Sequence, residues 1–78
     1  MQESWKTHPL HEFPVSTQGR VMIRDDIKTH GCRKADGYMY VSGYPVHRLV
    51  GETFMDSPNV YHIDNNPSNN SLGNLKVV

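Results

Sequence analysis

Residues 46–54 read VHRLVGETF, residues 60–64 read VYHID and residues 65–75 read NNPSNNSLGNL. In the first stretch Val46, Leu49, Val50 and Phe54 stand at i, i+3, i+4 and i+8, one apolar stripe of an amphipathic helix. Pro45 suits the first turn of a helix because its missing N–H has no partner there anyway. The helix is therefore expected over residues 45–55, ended by Asp56, Ser57 and Pro58. Residues 60–63 are short and β-prone, a strand. The asparagine-rich stretch that follows is polar and full of turn formers, and reads as an ordered loop. Residues 75–78 make a last strand. The order is helix, strand, loop, strand.

Upstream, residues 12–16 (EFPVS) and 20–24 (RVMIR) read as two strands joined by Thr17, Gln18 and Gly19, with Gly19 at positive φ. Residues 25–36 are polar and mixed, expected as loop. Residues 37–42 (GYMYVS) alternate and carry β-formers, a third strand. The fold class expected is α+β: short antiparallel strands with one main helix. The 78 residues suit a single small domain, with residues 1–36 as its N-terminal part and 37–78 as its second.

A chain this short buries only about 60% of its unfolded surface. Its core needs help from a metal or a partner. Cys32 is the sole cysteine, which excludes an internal disulfide and suits a reducing compartment. No apolar run approaches the ~20 residues of a membrane span. The opening MQESWKTHP has no apolar signal core, so the expectation is a cytoplasmic protein without a membrane partner. Eight Lys and Arg balance eight Asp and Glu. Zero net charge argues against a strongly basic DNA-binding domain and against an acidic DNA mimic, and predicts weak, salt-sensitive binding to phosphate. His8, His11, His30 and Cys32 form one candidate set for a structural Zn²⁺, although their spacing matches no common zinc pattern.

The order VHRLVGETF, VYHID, NNPSNNSLGNL resembles the phage-type HNH (His-Me finger) nuclease family over about residues 44–77. Trp5, Val15, Ser16, Gly19, Arg20 and Val21 also resemble a small β-module that precedes many such nucleases. The resemblance implies a ββα-metal fold with His62 as general base and Asn74 as the residue that orients it. Phosphodiester hydrolysis needs such a base and a cation to stabilise the transition state. The implied cofactor is Mg²⁺ or another divalent cation, weakly bound at His62. Tyr61 stands where the family has Asn or Asp as a ligand, and a neutral phenol is a poor ligand for a hard cation. The family pattern also continues into a final helix with a last ligand. This sequence stops at Val78, so the expected fold lacks that helix.

The resemblance sets His47 and Arg48 beside the site. Arg48 is also spaced to pair with Glu52 at i+4. Arg20, Arg24, Arg33 and Lys34, with Lys28, would form a basic strip interrupted by acids. The expected nucleic-acid contacts are Arg20, Arg24, Arg33, Lys34, His47 and Arg48. Asp64 is expected to cap the turn, Asn65 to take positive φ, and Asn69, Asn70 and Asn74 to cap the loop backbone. Three functions follow. The first is an HNH-derived protein that binds DNA weakly, with impaired or lost cleavage. The second is an active metal-dependent nicking endonuclease. The third is a protein-binding inhibitor of a host nuclease or defence complex.

Overall fold

The asparagine-rich loop is held between two paired strands. β8 (Val60–His62) and β9 (Leu75–Val77) run antiparallel with His62 opposite Leu75, and a 3₁₀ turn at Leu72–Asn74 leads into the second strand. The structure is a computed structural model that describes residues 3–24 and 27–78. Ahead of the hairpin lies α1 (Val46–Phe54). Its face of Val46, Leu49 and Val50 is buried, and Phe54 packs partly against the core. Pro45 is the N-cap rather than the first helical residue. Its backbone is extended because Tyr44–Pro45 (β7) pairs with Met39–Val41 (β6). Cys32–Arg33 (β5) completes that second sheet.

The first sheet orders β1 (Trp5–Thr7), β2 (Pro14–Ser16), β3 (Val21–Arg24) and β4 (Ile27–Thr29), all antiparallel. The expected turn is present, with Gly19 at φ 79°. β2 starts two residues later than its sequence suggests, because Glu12 takes a φ of 60°. The expected loop at 25–36 is a correction. It contains β4 and β5, while Asp25 and Asp26 lie outside the described residues. β4 is an edge strand with both Ile27 and Lys28 exposed, so it shows no apolar–polar alternation that would reveal its pairing. β1, at the other edge, is masked in the same way.

Val15 and Val21 of the first sheet, Val41 of the second, Val46, Leu49 and Val50 of α1, and Val60 and Leu75 of the hairpin form one buried cluster. Two features bring the pieces this close. A Cβ on Gly51, in mid-helix, would overlap the Ser57 carbonyl oxygen and sit 2.9 Å from Val60, so only glycine lets the chain fold back there. His8 ties the β1–β2 connection to α1. Its Nδ1 accepts from the backbone N–H groups of Leu10 and His11, both at 3.1 Å, and its Nε2 pairs with Glu52 Oε1 at 2.9 Å. Both ring nitrogens are thus engaged, which removes His8 from the zinc set. Among the described residues no group of three or more His, Cys, Asp or Glu is placed to hold a metal ion.

Candidate functional site

Strand alternation turns Val60 and His62 inward and Tyr61 outward, where it faces Lys76 across the hairpin. His62 is 8% exposed, and its Nε2 lies 2.7 Å from Oδ1 of Asn70, itself 4% exposed. An amide oxygen only accepts, so Nε2 carries a proton and Nδ1 is the ring nitrogen that Asn70 leaves free. Sequence reasoning assigned this orienting role to Asn74, and the geometry gives it to Asn70. The Asn74 amide is committed elsewhere: it donates to Asp64 Oδ1 at 2.8 Å and to the Asn69 carbonyl at 3.0 Å, and accepts from the Asp64 N–H at 3.2 Å.

Asp64 is the hub of the loop. It also accepts from the Asn66 N–H at 2.8 Å and from the Asn69 amide at 3.0 Å. These donors, Asn69 first, hold its carboxyl below the usual range. Asn65 turns the chain at φ 60°. From outside, the β2–β3 turn braces the loop. Leu72 donates its N–H to the Thr17 carbonyl at 2.7 Å. Gly19 lies so close to Asn70 that a Cβ there would stand 2.8 Å from the Asn70 carbonyl carbon and oxygen. The turn 51 residues upstream thus presses on the residue that fixes the His62 tautomer.

His62 opens onto a cleft of about 310 Å³, lined also by Asp36, Tyr38, His47, Tyr61 and Asn65. The ring centroids of Tyr38 and His47 are 5.1 Å apart, those of His47 and His62 5.1 Å, and those of Tyr38 and His62 6.0 Å. His47 Nδ1 is buried with no hydrogen-bond partner among the described residues. Burial, followed by His62 and Arg48 nearby, pushes the His47 pKa below its ordinary value and favours the neutral ring. Asp36 accepts from the Tyr40 hydroxyl at 2.5 Å and the Tyr38 N–H at 2.9 Å, which lower its pKa in that order.

The expected basic contacts are scattered. Arg20 is tied to Glu3, with its Nε 2.8 Å from Oε2, and lies over the Trp5 ring. Arg24 is exposed and lines a different depression with Met22 and Ile23. Lys34 stands over the Tyr40 ring at 4.5 Å. Arg33 reaches the asparagine loop, its Nη2 2.5 Å from Ser68 Oγ, next to the Pro67 that borders the cleft. Arg48 pairs loosely with Glu52 at 3.6 Å and keeps an exposed side chain. Of these residues, His47 lines the cleft with His62, Arg33 reaches the loop that borders it, and Arg48 lies beside His47. Sequence reasoning missed Asn70, Tyr38 and Asp36 as site residues. Tyr38 sits in a strand-like stretch whose spacing gives no sign that it will meet His62.

A hard divalent cation does not fit these donors. Among the described residues no three His, Cys, Asp or Glu are grouped to hold one, and Asn70 takes one nitrogen of His62. Mg²⁺ prefers carboxylate and water oxygens in a regular octahedron.

No family model matches the chain, and no solved structure matches it at a significant level. The chain is similar to an uncharacterized HNH endonuclease of Acanthamoeba polyphaga mimivirus, 42% identical over 53 residues, with 53% of this chain and 16% of the relative covered. It therefore spans a small part of that relative's length. The likeness supports an HNH relationship.

Proposed function

We propose that this chain is a nucleic-acid-binding unit built on an HNH-type hairpin, with His62 in the place of the general base and cleavage by the chain itself weak or lost. The observation that carries the reading is the buried His62–Asn70 hydrogen bond at the edge of the cleft. It fixes a tautomer with one basic nitrogen, which is what activating a water beside a phosphodiester requires. A base of this kind supplies typically about 10²–10⁴-fold. Phosphate-ester hydrolysis needs accelerations far larger than that. In HNH-type sites a bound divalent cation supplies the rest by neutralising the developing charge. The donors around His62 do not fit Mg²⁺, so the chain's own residues contribute the base alone.

The test is a supercoiled-plasmid assay over a series of Mg²⁺ and Mn²⁺ concentrations, with His62→Ala beside the parent, and a gel-shift series over salt. The expected result is a salt-sensitive shift and equal, negligible nicking by both proteins. Metal-dependent nicking that disappears in His62→Ala would instead establish an active endonuclease.

One observation favours the protein-binding reading. Ile23 and Ile27 are about half exposed at the β3–β4 edge, beside a groove that includes Cys32 and Tyr40. Exposed apolar edge strands invite partners. Capture of one defined partner from nuclease-treated lysate, lost in Ile23→Lys, together with no shift of nucleic acid at any salt, would replace the nucleic-acid reading with this one.

A further inference from the structure

Three aromatic rings, those of Tyr38, His47 and His62, stand in mutual contact along the cleft, at centroid distances of 5.1 to 6.0 Å. The outermost, Tyr38, is 38% exposed. The cleft, at about 310 Å³, lies at the small end of the range typical for ligand pockets, suited to one compact group rather than an extended ligand. Its walls are not purely apolar. Asp36 and Asn65 are among its lining residues. An aromatic wall beside polar lining residues matches a planar heterocycle that carries donors and acceptors on its edge.

We propose that this cleft takes one unstacked nucleobase, laid against Tyr38, so that the chain selects single-stranded over double-stranded nucleic acid. The inference rests on the nucleic-acid reading above and names its substrate class. Charge leads to the same place. With zero net charge, and with Arg20, Lys34 and Arg48 each held against a neighbouring side chain, phosphate contacts alone hold a strand weakly. Stacking supplies affinity without net charge. A paired base has both faces covered by its neighbours and its edge occupied by its partner, so a duplex can offer this cleft nothing without being opened first.

The test is fluorescence anisotropy with a labelled 12-nucleotide mixed-sequence DNA single strand and its duplex, across a salt series. The parent, Tyr38→Ala and Tyr38→Phe are compared, each checked by circular dichroism and thermal melting. Three results are expected together. The parent binds the single strand at least tenfold tighter than the duplex. Tyr38→Ala loses roughly 5- to 150-fold in single-strand affinity, the fold-change that corresponds to removing one base–aromatic stack. Tyr38→Phe retains it. The loss in Tyr38→Ala shifts the affinity at every salt and leaves the salt slope unchanged, because a stack releases no counterions. Equal or tighter duplex binding, or single-strand binding by Tyr38→Ala equal to the parent's, overturns the inference and leaves the nucleic-acid reading standing. Failure of both probes to bind at low salt overturns both.

Discussion

His62 and Asn70 are eight residues apart and both almost fully buried, so the hydrogen bond between them has no water to replace it. Asn70→Ala leaves the His62 N–H without its acceptor, which should cost about 1–3 kcal/mol. Urea denaturation of the two proteins checks this, and an unchanged midpoint would mean that solvent reaches the ring. The positive φ of Asn65 and of Gly19 and the capping role of Asp64 were all legible in the sequence, because each follows from residue type and its immediate neighbours. The partner of His62 was not. Five asparagines lie between residues 65 and 74, and which one meets the ring depends on how Asp64 folds the loop. Glu3 was also overlooked. Arg20, through its hydrogen bonds, holds the Glu3 carboxyl at about 2, below its ordinary 4.5. A depressed folded pKa gives stability that is fully present above about 4.5 and is lost as pH falls towards 2. The stability difference between the parent and Glu3→Gln should therefore be flat from neutral pH to about 5 and vanish near 2. A difference that persists at pH 2 would show that packing, rather than charge, holds the pair.

Helix α1 and the β8–β9 hairpin were readable because they carry their own signals, an apolar stripe at helical spacing and a turn-rich insert between β-formers. Leu49 is the largest fully buried side chain of the molecule and lies at the centre of that stripe. Leu49→Ala should lower stability by about 2–5 kcal/mol, the usual cost of lost burial plus an unfilled cavity. In a domain this small that approaches the whole of the folding free energy. Chemical denaturation would show a large drop in midpoint, and a shift near zero would place the stripe at the surface. β1 and β4 carry no such signals. Each is three residues long and closes an edge of the four-stranded sheet, so its polar residues meet solvent and no alternation builds up. In the sheet Trp5 stands opposite Ser16 and Lys28 opposite Met22, cross-strand pairs that no local sequence pattern announces.

The N-terminal hairpin and the asparagine loop are distant in sequence but meet at Gly19 and Asn70, so the same contact that closes the core also shapes the site. That closure consumes charge. Of the eight basic residues, Arg20 is tied to Glu3, Lys34 stands over Tyr40 and Lys28 over Trp5, while Arg48 is shared with Glu52. The basic strip suggested by the sequence is thus divided among local partners, which spacing alone does not reveal. Near the His62 cleft stand Arg33 and Arg48, about two cations able to reach phosphate. Each phosphate neutralised on a single strand contributes roughly −0.7 to the slope of log affinity against log salt, and on a duplex roughly −0.9. Binding should therefore weaken with salt along a slope of about −1 to −2, much shallower than for a protein making six to ten phosphate contacts. Arg33→Ala, which also frees Ser68, should flatten the slope by about 0.7 on a single strand, whereas Arg24→Ala, on a different depression, should leave it unchanged. A slope steeper than about −5, or one that responds to Arg24 as strongly as to Arg33, would mean that nucleic acid follows the first sheet rather than the cleft.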